Sequence, residues 1–468
     1  MLMPVLASAE ITLPDIIADN MMLQQQTDAH LWGWANPGSE ITISGSWAPE
    51  SSVTVKTAQN GRWDASIATP EATFTPQSLT IKGDGSDITV SNVLIGEVWF
   101  CSGQSNMEMP LRGFWGQPVE GGMQAIAYSG KYPGIRVAKI PKSCSYQPVE
   151  RGTAHWMESN PKNAPEFSAL GYFFAQSLSD ILGIPVGIID CSYGGSKLES
   201  WMPREIVKDY ADIDLAKEAR DSTENEWHRA IVRYNSMLHP VIGYTVKGFL
   251  WNQGESNVGQ HDRYPQRMAT LITDWRNSWG QGDLPFYMVE LPAWNYGNPE
   301  DTGAALFREC QHKAATLVPN AATVCTSDLI YDYELEDIHA SQKQPLGERM
   351  AFLAAAKTYG YTTIAHESPK MTSCNIDGNT ARLRFDNVEG FLTPNDVLEG
   401  FEVAGADKVF RPASAIMEPG TFDVVVTAPE GIAKIESVRY CFKNFARGKV
   451  HSIQGLPVIP FRTDNWEH

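Results

Sequence analysis

Apolar and polar positions change rhythm twice along the chain. Up to Asn92 they alternate in short stretches, such as Glu40-Ile41-Thr42-Ile43-Ser44 and Leu79-Thr80-Ile81-Lys82. Turn signals separate these stretches: Asn36-Pro37-Gly38, Asn60-Gly61 and Gly83-Asp84-Gly85. A period of two in Thr, Val and Ile predicts antiparallel strands, here a small β-sandwich over residues 10–92. From Val93 short apolar runs take turns with segments of helical period. Strands are expected at 93–101, 185–190, 245–251, 285–291 and 322–326, and helices at 165–182, 223–238, 264–279, 303–317 and 342–359. Such alternation over 93–361 predicts a parallel sheet with helices on both faces, an α/β fold. Short strands return over 362–468, at 381–385 and 422–427, with a turn at Asp377-Gly378, so a second β region closes the chain.

Composition narrows the function classes. The chain has 468 residues, with 55 acidic against 37 basic, a formal charge of −18. That balance excludes a general nucleic-acid surface, which needs clustered Lys and Arg. No apolar run approaches the ~20 residues of a membrane-spanning helix. The first nine residues, MLMPVLASA, end in the small-x-small pattern Ala7-Ser8-Ala9. They are the expected remnant of a secretory signal, which points to a secreted or periplasmic protein. Seven cysteines (101, 144, 191, 310, 325, 374 and 441) form no CxxC pair, so neither a zinc site nor a redox pair is expected. A bridge between Cys374 and Cys441 is left open.

Candidate chemistry sits where predicted strands end, the place where ligands bind in open α/β sheets. In Gly103-Gln104-Ser105-Asn106-Met107 a strand runs into a Gly turn and a Ser follows. A Ser so placed can be a nucleophile whose own N–H faces the incoming carbonyl oxygen, although many such serines only cap helices. Tyr193-Gly194-Gly195-Ser196 follows the next strand, and its glycines let backbone approach a ligand closely. Gln253, in Trp251-Asn252-Gln253-Gly254-Glu255-Ser256-Asn257, offers a side-chain amide donor. Glu336-Asp337-Ile338-His339 places acid and imidazole on one loop, as a general base with an orienting carboxylate requires.

Together these four segments resemble the carbohydrate acetylesterases related to sialate 9-O-acetylesterase, a branch of the SGNH/GDSL hydrolases. The flanking phrases DNMMLQQQ, WGWANPG, Trp201-Met202-Pro203, Gln344-Pro345-Leu346-Gly347-Glu348-Arg349, EGFEVAG and LPVIPFRTDNW extend the resemblance over nearly the whole chain. It implies an SGNH-like catalytic zone flanked by β regions. It also implies Ser105 as nucleophile, His339 as base, and the N–H groups of Ser105 and Gly195 with the Gln253 side chain as oxyanion donors. The orienting acid of the family lies three residues before the His, which here is Glu336, with Asp337 the neighbouring alternative; the Pro that often follows the His is Ala340. No metal or organic cofactor is implied.

The expected reaction is removal of O-acetyl groups from a carbohydrate, in first place O-acetylated sialic acid. Acetyl xylan or another hemicellulose ester is the alternative substrate, and a catalytically disabled carbohydrate-binding protein the alternative class. Trp115, Tyr193 and Trp294 are candidate sugar platforms, and Arg112 a candidate partner for a sugar carboxylate.

Overall fold

The computed structural model describes residues 10–220, 226–388, 390–391, 398–418 and 420–466. The Ala7-Ser8-Ala9 motif and Thr223, where one expected helix begins, lie outside them. The chain forms two compact units, each built from several chain segments.

The first unit takes in residues up to Phe114, then 121–251 and 270–286. Its N-terminal part contains β1 (Met22–Gln24), β2 (Asp28–Trp34), β3 (Glu40–Gly45), β4 (Ser52–Lys56), β5 (Arg62–Ala68), β6 (Thr73–Gly83) and β7 (Ser86–Gly103). β2 pairs antiparallel with β5, and β3 with both β4 and β6, as the alternating pattern requires. The change of texture after Asn92 falls inside one continuous strand. Before it, β7 alternates between exposed and covered positions and runs antiparallel to β6; from Val93 onward every residue is buried. Asn92 itself has φ +56, a left-handed kink that Asn tolerates.

The buried half of β7 lies parallel to β1 and to β10 (Val186–Ser192), and β10 lies parallel to β8 (Ile135–Lys139). β9 (His155–Glu158) closes this edge antiparallel to β8, and β11 (Gly248–Asn252) flanks β7 on its other side. The sheet is therefore mixed, with a parallel centre. All seven positions of β10 are buried, which is why its sequence, VGIIDCS, lacks alternation.

Successive residues of a strand face opposite ways, and β7 uses this to hold a helix on each face. Trp99 meets Phe174 of the helix Ala169–Leu182 edge-on at 5.2 Å. Phe100, next in line, meets Trp275 and Trp279 of the helix Tyr264–Trp279 at 5.9 and 5.4 Å. The first helix starts later than its apolar period suggests. Pro165 sits in a single 3₁₀ turn, and Ser168 then caps the helix by accepting from the Gly171 N–H at 3.1 Å. The helix expected at 223–238 is replaced, over its described residues, by a 3₁₀ turn (Glu226–His228) and one π-turn (Tyr234–Leu238). Ile231 between them has φ +62, which no helix can contain.

The second unit comprises residues 115–120, 252–269 and 287 onward. β12 (Phe286–Val289) and β13 (Ala321–Val324) neighbour each other, with the helices Gly303–Ala315 and Lys343–Lys357. Two four-stranded sheets follow. One has the order β14 (Lys370–Asp377), β15 (Thr380–Asp386), β19 (Val424–Thr427), β18 (Ser414–Met417). The other has the order β17 (Arg411–Pro412), β16 (Phe401–Ala404), β20 (Ser437–Tyr440), β21 (Phe461–Arg462). Leu383, Val403, Val424, Val438 and Tyr440 form their common core. All seven cysteines are free thiols, so Cys374 and Cys441 are not bridged. No helix of the described residues is long and apolar enough to cross a membrane.

Candidate active site

The position of the serine turn follows from strand register. β7 and β10 are parallel and end level, Gly103 opposite Ser192, so the loops after them emerge side by side. Ser102 Oγ donates to the Cys191 carbonyl at 2.7 Å, and the Tyr193 N–H to the Gly103 carbonyl at 3.0 Å, tying the two exits together. Gly103 (φ +138) turns the chain, and Ser105 opens a single helical turn, Ser105–Glu108. Ser105 is half-buried while Gln104 and Asn106 beside it are buried.

The glycine loop is clamped onto that turn. The Gly194 N–H donates to Glu108 Oε2 at 2.6 Å, and Lys142 Nζ reaches the other oxygen, Oε1, at 2.6 Å. A β-carbon on Gly194 would stand 3.0 Å from Glu108 Oε2 and 3.4 Å from the Ser105 β-carbon. Gly194 therefore brings backbone directly against the serine. Gly195 has φ +74, a conformation that favours glycine and sets the direction of its N–H. Beneath the loop, buried Asp190 accepts from Ser192 Oγ at 2.5 Å and Lys139 Nζ at 2.6 Å.

The other two segments belong to the second unit. Gln253 follows β11 and is buried. Its Oε1 accepts from Tyr264 OH at 3.1 Å and its carbonyl from Gln311 Nε2 at 3.0 Å, while one hydrogen of its amide reaches Asn257 Oδ1 at 2.7 Å. The acceptor end of the amide is thus assigned, which fixes the donor end in direction.

His339 lies on the loop before the helix Lys343–Lys357. Its Nδ1 is 2.6 Å from Gln117 Oε1, and its backbone N–H donates to Asp337 Oδ1 at 2.9 Å. Burial, with Lys343 adding like charge, lowers its pKa to about 4. Lys343 is in turn pushed down to about 8 by burial, against the pull of Glu255, Glu334 and Asp337.

Glu336, expected to face the imidazole, is exposed and accepts from Asn295 Nδ2 at 2.7 Å. The physical reason is local: the Asp337 carboxylate closes a tight turn onto the His339 N–H, which directs position 336 outward. Arg112 has a partner within the chain. Its guanidinium is engaged by Glu166, with bonds of 2.6 and 3.2 Å, so a carboxylate of the chain already occupies it. Trp115 is 99% exposed, Trp294 packs edge-on against Tyr296 at 4.8 Å, and the Tyr193 ring carries the Arg233 guanidinium at 3.5 Å on one face.

Two residues of the site were missed in the sequence. Glu108 had a local signal, since it lies three residues after Ser105 on the same turn. Gln117 had none, because its contact with His339 spans 222 positions. Among the described residues no cluster of three or more His, Cys, Asp or Glu could hold a metal ion.

Comparison with known proteins agrees with the layout. Residues 95–356 match the family described as carbohydrate esterase, sialic acid-specific acetylesterase. The chain is 27% identical over 384 residues to the sialate O-acetylesterases of Pongo abelii and Homo sapiens, covering 75% of this chain and 72% of theirs. The crystal structure of a carbohydrate acetylesterase from Xanthomonas citri superposes with a TM-score of 0.86 at 33% identity, covering 98% of this chain and 100% of that one. The matched region contains the serine turn, the glycine loop, the glutamine loop and the histidine loop, and the chain is a carboxylic ester hydrolase that belongs to the carbohydrate esterase, sialic acid-specific acetylesterase family.

Proposed function

We propose that this esterase removes O-acetyl groups from sialic acid through an acetyl-enzyme on Ser105. The observation that carries the reading is the placement of Ser105 at the C-terminal end of β7 with Gly194 closed against its β-carbon. The names of the sialate O-acetylesterase relatives support the choice of sugar. In the proposed reaction His339 Nε2 accepts the Ser105 proton as the oxygen attacks the acetyl carbonyl. The N–H groups of Ser105 and Gly195 and the Gln253 amide hold the developing oxyanion, each lowering the barrier by about 3 kcal/mol. The tetrahedral species collapses, and the sugar hydroxyl leaves with the proton from His339. Water then attacks the acetyl carbon as His339 takes its proton; the second tetrahedral species breaks its bond to Ser105 Oγ, which recovers the proton from His339, and acetate leaves.

The reading requires hydroxyl and imidazole to meet during turnover. Glu336, the acid at the family spacing, accepts from Asn295 Nδ2 and is given no part in this reaction. Exposed Trp115 and half-buried Trp294 are the proposed sugar platforms. Export rests on the MLMPVLASA segment.

Acetate release from O-acetylated sialic acid, measured beside release from acetylated xylan, tests the substrate. Faster turnover of the sialate ester is expected, and a preference for xylan would overturn the sialate assignment. Ser105→Ala should lose at least a thousand-fold in kcat with an unchanged circular dichroism spectrum, on the order of the loss of a catalytic serine. Retained turnover would overturn the nucleophile.

A further inference from the structure

We propose that Gln117 is a positioning residue for His339, accepting the Nδ1 hydrogen and so presenting Nε2 as the base. The proposal rests on the reading of His339 as the general base. Its geometry is self-contained within the second unit. Residues 115–120 belong to that unit although they follow the serine turn by only a few positions, and three contacts hold them there. His339 Nδ1 lies 2.6 Å from Gln117 Oε1, the Glu120 N–H donates to the Ser341 carbonyl at 3.0 Å, and Tyr331 OH donates to Glu120 Oε2 at 2.8 Å. Val119 between them is buried.

The chemistry sets the direction of the first bond. A carboxamide oxygen only accepts, so Nδ1 must carry the hydrogen and the neutral ring is the Nδ1–H tautomer. That tautomer leaves the Nε2 lone pair for proton abstraction, the outcome a carboxylate on Nδ1 achieves in a Ser-His-Asp triad. A neutral partner differs in one respect: it adds no negative charge beside the ring. An imidazolium here gains no Coulombic support from its orienting group, in keeping with the depressed His339 pKa. The charged group acting on the ring is Lys343 on the following helix, which disfavours the cation; Asp337 and Glu334 act on Lys343, and Asp337 bonds the His339 backbone N–H. Glu255, on the loop after β11, acts on Lys343. Gln117 thus orients the ring without raising its basicity.

The test uses Gln117→Ala and Gln117→Glu in the full chain. The nitrogen-15 shifts of His339, assigned by difference from His339→Gln, should show the Nδ1–H tautomer in the wild type. They should show a mixture of tautomers in Gln117→Ala. The kcat for a chromogenic acetyl ester should fall about ten- to hundred-fold in Gln117→Ala with KM little changed. Gln117→Glu keeps an acceptor oxygen and adds charge. It should restore most of the activity and move the acid limb of kcat/KM upward by about one pH unit or more. Gln117→Ala with wild-type tautomer, kcat and pH profile would overturn the proposal. Hydrolysis by the wild type that Ser105→Ala abolishes is the control for the esterase reading. Its absence would sink that reading alone, since the tautomer measurement decides the Gln117 contact without any turnover.

Discussion

His339 illustrates how a single side chain takes its chemistry from its surroundings. Its nominal pKa of 6.5 is lowered to about 4, first by burial and then by the charge of Lys343. In the proposed reaction His339 works only when neutral, so the sign is direct: activity persists into mildly acidic solution and fails as the pH drops through about 4. The kcat/KM of the free enzyme on a neutral acetyl ester, followed from pH 3 to 8, should show an acid limb near 4. A limb at 6.5 would mean that the ring is solvated in the working enzyme. At the same scale, the local sequence put acid and imidazole on one loop without deciding which side chain meets the ring. Spacing alone favoured Glu336, whereas the bond from the His339 N–H to Asp337 turns Glu336 outward to Asn295.

Among the elements, the pair of parallel strands β7 and β10 matters most. Their level ends place the serine turn beside the glycine loop, and the cross-strand neighbours Lys139 on β8 and Asp190 on β10 stabilise that end of the sheet. Burial alone would lower the Lys139 pKa, but the charge of Asp190 and its hydrogen bond outweigh it and raise the pKa. Removing the cation leaves a carboxylate with no exposed surface uncompensated. Lys139→Met is therefore expected to cost about 3 kcal/mol of unfolding free energy, measured by urea denaturation. A loss below about 0.5 kcal/mol would show that water replaces the lysine without penalty. Helices 264–279, 303–315 and 343–357 were legible from period alone, to within two residues at their ends. The 223–238 segment was not, since its apolar spacing is broken by a backbone reversal at Ile231 that periodicity does not encode.

For the whole molecule, the second unit shows how distant parts of the chain are held together. Asp328 accepts two bonds from Arg349, at 2.7 and 2.6 Å, and one from His451 at 3.1 Å. The helix Lys343–Lys357 is thereby joined to the C-terminal β region. Burial would raise the Asp328 pKa, but these bonds prevail and hold it down at about 2. A carboxylate depressed on folding stabilises the native state above its unfolded pKa of about 3.9, and that stabilisation disappears as the pH falls through about 2. Asp328→Ala should lower the melting temperature by several degrees at pH 7 and by much less at pH 2. An equal shift at both would remove the carboxylate's charge from the explanation.

The amino-acid sequence by itself determined the α/β class, the β-rich flanks, the serine, glycine, glutamine and histidine loops, and through them the acetylesterase family. These are local matters: strand and helix periods repeat within a few residues, and each loop motif lies within a single turn. Only the tertiary structure decided that β7 runs unbroken past Asn92, that Arg112 is already engaged by Glu166, that Glu108 clamps the glycine loop, and that Gln117 holds the His339 ring. Each of these depends on partners far apart in sequence or on a side chain's choice among several acceptors. Such choices are made by packing and hydrogen-bond competition in three dimensions, which no local pattern of residues records.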